Sequence, residues 1–268
     1  MEKILREKNK AIHKAKGLPP IYCINLDEEP NRWEYMVDQF DYWDITDYTR
    51  ISAYDGRGDR DLGHILKGRY PDNMSSGEVG CTTSHLKAMA HFLETSDAPC
   101  ALMMEDDCDI STMSYWHFSW KDFYRKVPYD YDVVQLAVIN PATIHMKIHH
   151  RFINDFSTAC YMITRRHCQK LIDLHVRGDK YKIDNGVKPR AVADDLIYNS
   201  GNTYAIPLFL YKLELGSSIH HDHVDVFHKS SHDGLWQFWK NQSTDLKWDD
   251  IFEYDPYLGR LPPGFEGK

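Results

Sequence analysis

The 268-residue chain has no apolar run long enough to span a membrane. Its first segment, "MEKILREKNKAIHKAKG", lacks the apolar core of a signal peptide. A cytoplasmic setting is therefore expected, a host cytoplasm included if the source is viral or phage. There is no C-x-x-C spacing among the six cysteines, at 23, 81, 100, 108, 160 and 168. Several of them sit in apolar runs, so they read as reduced and buried. There is no basic surplus either: the formal net charge is −8. That argues against nucleic acid as a partner, which calls for a basic face. It leaves an anionic substrate open, because a bound metal inverts the local field. No internal repeat and no low-complexity tract interrupts the chain.

What is present is the composition of a soluble globular protein, 42% hydrophobic and 27% charged. The length suits one large domain or two small ones and allows a sizeable core. The 17 tyrosines and 7 tryptophans supply core, and also suit a cleft that stacks sugars or bases.

Residues 1–18 read as an amphipathic helical extension ending at Gly17, with Ile4, Leu5, Ile12 and Ala15 at roughly helical spacing. After Pro19-Pro20, "IYCINL" reads as a buried strand, and Pro30 opens a helix with Trp33, Met36, Val37 and Phe40 on one face. "TRISAYDG" is a strand ending in an Asp-Gly turn. "SSGEVGCTTSHLKAMAHFLE" carries turn residues and then a helix, with Ser84-His85 at its start. "ALMM", "YDVVQLAVI" and "ACYMI" read as strands, and "TRRHCQKLIDLH" as a helix. "VADDLIYNSG" is helix-like, and "TYAIPLFLYKL" is extended and interrupted by Pro207. This alternation favours an α/β domain over 19–235 with a mainly parallel sheet. The aromatic, Pro-containing stretch 236–268 is expected to pack on that domain.

The strand "ALMM" runs directly into Glu105-Asp106-Asp107. Open α/β sheets place their ligand crevice at the carboxyl ends of the strands. Hard carboxylate oxygens there suit Mn²⁺ or Mg²⁺, which relieves the mutual repulsion of the acids and neutralises a diphosphate leaving group. The simpler reading is a solvated acidic turn.

Five blocks occur in order: "IYCINLDEEPNRWEYM", "RISAYDGR", "GEVGCTTSHLKAM", "ALMMEDD" and "TACYMITRRHCQKLIDL". Together they resemble glycosyltransferase family 25, the lipooligosaccharide and procollagen galactosyltransferase group, over roughly residues 20–220. The resemblance implies an α/β fold of the glycosyltransferase-A type, a Rossmann-like sheet flanked by helices, with a metal site of the D-x-D kind. It implies Asp107 as the metal contact, Asp106 facing the donor ribose or sugar, and Glu105 as a sugar contact or support. Asn25 and Arg32 are implied at the donor nucleotide, where a helix N-terminus and a forked guanidinium favour phosphate. Asn25 satisfying a turn and Arg32 lying solvated is the alternative. Asp55 is either a nucleotide contact or an Asp-Gly turn residue. His85 is expected to hydrogen-bond a phosphate or hydroxyl; Ser84 stands between donor contact and helix cap.

Inverting sugar transfer needs a base at the acceptor hydroxyl. The family resemblance implies an acid near "AVADD". Asp195 is the expected base, and Asp194 the expected helix cap. The tract "SSIHHDHVDVFHKSSHD" offers His221 and His223 to complete the metal sphere. The expected activity is metal-dependent transfer of galactose or glucose from a UDP-sugar to a saccharide or to a hydroxylysine-type hydroxyl on a collagen-like acceptor. A metal-dependent hydrolase and an inactive carbohydrate-binding domain are the two rivals.

Overall fold

The computed structural model describes residues 9–140, 144–183, 190–215 and 228–242, together with Lys247, Asp249 and Phe252. Its strands are β1 (Ile21–Asn25), β2 (Tyr48–Ser52), β3 (Cys100–Glu105), β4 (Cys108–Asp109), β5 (Val133–Ala137), β6 (His149–His150), β7 (Cys160–Thr164), β8 (Val176–Arg177), β9 (Lys180–Tyr181) and β10 (Thr203–Tyr211). Its α-helices are α1 (Pro30–Tyr42), α2 (Ser76–Thr95), α3 (Trp120–Tyr124), α4 (Arg165–His175), α5 (Ala193–Tyr198) and α6 (Lys229–Gln237).

Eight strands form one central sheet in the order β2-β1-β3-β7-β5-β10-β4, with β6 also on β10; β8 and β9 pair separately. The expected α/β sheet flanked by helices is present, but it is mixed rather than mainly parallel. β1 runs parallel to β2 and β3, and β10 parallel to β5, while β7 lies antiparallel between β3 and β5. A continuously apolar strand such as "ACYMI" is buried on both faces and carries no signal of its direction.

Strand alternation sorts the core into two layers. Ile21, Cys23, Leu102, Met104, Cys160 and Met162 face a cluster containing Met36 and Phe40 of α1, with Trp116, Trp120 and Trp239. Tyr22, Ile24, Ala101, Met103, Tyr161 and Ile163 face the other side, against Leu86 and Met89 of α2, Leu171 of α4 and Leu196 of α5.

α2 begins earlier than its sequence suggests. Ser75 caps it: its hydroxyl accepts from Glu78 N, and the Glu78 carboxylate accepts from Ser75 N. Ser84 and His85 therefore lie inside the helix rather than at its start. Gly80 is required there because a Cβ would meet Tyr54 O at 2.5 Å. Gly56 is required for the same reason, since a Cβ would lie 1.9 Å from Ser76 O. The Asp-Gly block is thus a close crossing of the β2 exit over the start of α2.

Pro207 does not end β10; the pairing with β5 shifts register between Ala205 and Phe209 instead. Of the expected leading helix, the described part is one 3₁₀ turn, Ile12–Ala15. The 235/236 boundary falls inside α6, and Trp239 and Phe252 are buried in the first core layer. All six cysteines are free; five are buried and Cys81 is half-buried. Among the described residues no helix is long and apolar enough to cross a membrane.

Candidate active site

Parallel register brings the ends of three strands to one edge: Asn25 lies opposite Ser52, and Ile24 opposite Glu105. Because β7 runs the other way, the residues just before it, Ser157 and Thr158, arrive at that same edge. The acidic run at the end of β3 therefore lies at an edge that residues of α1, α2 and α5 also reach: Arg32 pairs with Asp106, His85 with Glu105, and Asp194 with Ser157.

Asn25 is buried and saturated. Its Nδ2 donates to Asp106 Oδ2 at 2.7 Å and to Glu29 O at 3.0 Å, and its Oδ1 accepts from Arg50 Nε at 2.7 Å. Arg32, in the first turn of α1, is 11% exposed and is neither solvated nor open to a phosphate. Its Nε donates to Asp106 Oδ1 at 2.8 Å, its Nη2 lies 2.5 Å from Asp106 Oδ1 and 3.1 Å from Asp107 Oδ2, and its Nη1 donates to Leu215 O at 3.2 Å. Both oxygens of Asp106 are thereby occupied.

Asp107 differs. Its Oδ1 is buried with no hydrogen-bond partner. Burial first, then the neighbouring Glu105 and Asp106 charges, push its carboxyl up to about 7, against the pull of Arg32. A buried carboxylate oxygen without a partner, beside further acids, fits a hard divalent cation. His221 and His223 lie outside the described residues. Of the same tract, His228 takes Tyr211 Oη–H on its carbonyl at 2.7 Å, and His232 packs its ring on Tyr211.

Glu105 accepts from Thr158 Oγ1 at 2.5 Å and lies 3.1 Å from His85 Nε2. Burial opposes its ionisation, but the His85 and Thr158 contacts outweigh burial and hold the carboxyl below its ordinary range. His85 is 1% exposed, and its Nδ1 lies 3.0 Å from Tyr161 Oη. Both ring nitrogens thus have partners within the protein, Glu105 and Tyr161. Ser84 caps nothing: its hydroxyl donates to Gly80 O at 2.6 Å and accepts from Tyr54 N at 2.8 Å, tying α2 to the β2 exit. Asp55 accepts from Arg57 Nε at 3.0 Å and Nη2 at 2.9 Å, and also pairs with Arg60. The Arg57 hydrogen bonds hold its carboxyl below the usual range.

The two acids of α5 part company. Val192 occupies the N-cap position, so Asp194 does not cap the helix. Instead its Oδ1 accepts from Ser157 N at 2.7 Å. Burial pushes its carboxyl up to about 6, with Glu105 and Asp195 adding to that push and Arg151 opposing it. Ser157 holds this contact with φ at +99°, a left-handed backbone in a non-glycine residue. Such a conformation persists where the surroundings impose it: Ser157 O accepts from Tyr198 Oη at 2.8 Å and Gln135 Nε2 at 3.0 Å. Asp195 points the other way, accepting from Arg190 N at 3.2 Å and Asn199 Nδ2 at 3.1 Å.

Sequence reasoning missed Ser157, Thr158, Tyr161 and Cys81. Only Cys81 left a signal, standing four residues before His85 on one face of α2.

A mixed sheet flanked by helices, with acids at the carboxyl edge of its parallel strands, defines the class as an α/β fold of the kind that takes its ligands at that edge. Residues 18–185 match glycosyltransferase family 25 (LPS biosynthesis protein). That is more than half of the chain, which belongs to this family and is a glycosyltransferase. Every described site residue but Asp194 and Asp195 lies within the matched span. Among solved structures, A197 from STIV is similar at 11% identity and a TM-score of 0.35, over 72% of this chain and 83% of that one. HddC from Yersinia pseudotuberculosis complexed with GMP-PN is similar at 10% identity and a TM-score of 0.30, over 72% and 92%. No curated protein matches in sequence.

Proposed function

We propose that the chain transfers a hexose, galactose or glucose, from a UDP-sugar to a hydroxyl, with inversion and with the help of Mn²⁺ or Mg²⁺. The acceptor is a saccharide or a hydroxylysine-type side chain. The observation that carries the reading is the buried, partnerless Asp107 Oδ1 at the end of β3. Asp107 would hold the cation through that oxygen. Bound there, the ion supplies Lewis-acid neutralisation of the diphosphate leaving group.

The chain's own residues divide the remaining work. Arg32 clamps Asp106 and Asp107 in one orientation. Asn25 braces Asp106 from the β1 side. Asp194, not Asp195, is the base under this reading, because its carboxyl shares the Glu105 environment while Asp195 faces Asn199. The acceptor hydroxyl passes its proton to an Asp194 oxygen as its own oxygen bonds to the anomeric carbon. The bond from that carbon to the diphosphate breaks, and UDP leaves with the electron pair. A base titrating near 6 is mostly ionised at neutral pH, which suits this task.

The experiment is a panel of UDP-sugars incubated with the chain, with and without EDTA, followed by UDP release. Release from UDP-galactose or UDP-glucose that needs added Mn²⁺ and is lost in Asp107→Asn is the expected result. Full activity in EDTA overturns the metal, and release from no UDP-sugar overturns the donor.

A further inference from the structure

Next to Asp106-Asp107 in the chain, Glu105 belongs to a second group of ligand atoms of different chemistry. Cys81 Sγ, His85 Nε2 and a Glu105 carboxylate oxygen all fall within 4.8 Å of one another. We propose that these three side chains form a binding site for a Zn²⁺-class ion, distinct from the hard-oxygen position at Asp107.

The placement follows from the fold. Cys81 and His85 stand one helical turn apart inside α2, a 20-residue helix whose start is fixed by its capping box. Glu105 ends β3, the strand that α2 covers. Two ligands thus come from a rigid helix and one from a rigid strand, the kind of support that holds a site in shape.

The distances fit. Tetrahedral zinc with bonds of about 2.3 Å to sulfur and 2.0–2.2 Å to nitrogen and oxygen puts its ligands roughly 3.4–3.6 Å apart. His85 Nε2 and Glu105 Oε1 already stand at 3.1 Å. The widest separation closes with about 1 Å of side-chain rotation. A thiolate and an imidazole select zinc over magnesium or manganese. Three protein ligands are the number found in zinc sites that keep one position open.

The surroundings supply what such a site needs. A zinc-bound histidine donates its other ring N–H to an oxygen, and Tyr161 Oη lies 3.0 Å from His85 Nδ1. Without metal, the other tautomer donates Nε2–H to Glu105, so His85 is satisfied in both states. Cys81 and Glu105 are half-buried, whereas the other five cysteines are buried. Binding replaces the Cys81 thiol proton with the ion and releases that proton to solvent.

This inference does not depend on the donor reading, and its test uses no sugar nucleotide. The full chain is titrated with Co²⁺, whose bond to a thiolate gives a near-ultraviolet charge-transfer band. The band should appear in the wild type and be bleached by Zn²⁺. It should be absent in Cys81→Ser, weakened at least about tenfold in affinity in His85→Gln, and retained in Asp107→Asn. No band, a band surviving Cys81→Ser, or a band lost only in Asp107→Asn overturns the site. A second measurement needs no variant: Zn²⁺ should slow alkylation of Cys81 by iodoacetamide about tenfold or more, read by mass spectrometry. An alkylation rate that Zn²⁺ leaves unchanged overturns it equally.

Discussion

Replacing Arg32 with alanine tests the electrostatic account of the crevice most directly. Its guanidinium is 11% exposed and lies 2.5 Å from Asp106 and 3.1 Å from Asp107. Removing one partner of a buried pair costs about 3–5 kcal/mol, because the remaining charge stays buried without compensation. Unfolding entropy of roughly 2.1 cal/mol/K per residue gives a chain of 268 residues about 0.56 kcal/mol/K. The expected fall in Tm is therefore roughly 5–9 °C. Its pH dependence has a definite sign. Asp107 titrates near 7 in the folded chain, above its unfolded value, so the folded state holds the proton more tightly. Stability then declines as pH rises from about 4 through the folded value, and the cost is fully present above it. Without Arg32 that folded value rises further. The deficit of Arg32→Ala should be largest at about pH 8 and shrink toward about pH 5.5, where Asp107 is protonated. Arg32→Lys should fall between, keeping the charge but losing the fork. The assay is thermal unfolding by circular dichroism across that range, in EDTA and again with Mn²⁺. If a cation binds Asp107, Mn²⁺ recovers part of the loss. A deficit under about 2 °C at high pH, or one that grows on acidification, would refute the reasoning.

Two further outcomes follow from named contacts. Asp194→Asn should lower kcat by roughly 10²–10⁴-fold with little change in UDP-sugar affinity, and wild-type turnover should fall as pH drops below about 6, where Asp194 takes up its proton; Asp195→Asn turning out to be the inactive variant would reverse the two roles. Gly56→Ala should destabilise the chain by several kcal/mol, about 3 or more, because its Cβ would sit 1.9 Å from Ser76 O; denaturant unfolding with an unchanged midpoint would rule out the close crossing.

Much of the fold can be read in the sequence because its strands are short apolar runs bounded by turn residues. β1 and β5 fall within stretches read as strands, and β3 and β7 overlap theirs to within a residue at each end. What such runs lack is direction. "IYCIN" and "CYMIT" look alike in composition, yet one is parallel to β3 and the other antiparallel. The start of α2 was hidden for another reason. Gly77 and Gly80 lower helix propensity, but the Ser75–Glu78 capping box and the approach of Tyr54 O to Gly80 override it. The Tyr54 contact is tertiary and the sequence does not display it, whereas the Ser75-x-x-Glu78 box is a local signature that the two glycines masked.

The site follows the same division. An apolar strand running into three acids is visible in one dimension, and so the acidic edge was found. Which charges meet there is not visible. Arg32 and Asp106 stand 74 positions apart, and first-turn placement in a helix suggested an external anion for Arg32 when an internal one had taken it. Asp194 and Asp195 are neighbours in sequence but about 100° apart around a helix. That rotation sends one toward Ser157 and the other toward Asn199. The resulting charge balance is uneven. Glu105, Asp106, Asp107 and Asp194 gather on one edge, while Arg32 is the cation paired with the acids of β3's end. Asp106 is bound on both oxygens and Glu105 is held ionised by its hydrogen bonds. Burial first, and then that surplus, weighs on the two acids left with the fewest contacts, Asp107 and Asp194, whose carboxyls are pushed up to about 7 and about 6. An acid that holds its proton more tightly than usual is a site prepared for positive charge. On the proposed reading a divalent cation meets that need at Asp107, and the proton of an acceptor hydroxyl meets it at Asp194. Burial together with one uneven charge distribution thus underlies both the cation binding and the proton transfer proposed for this glycosyltransferase.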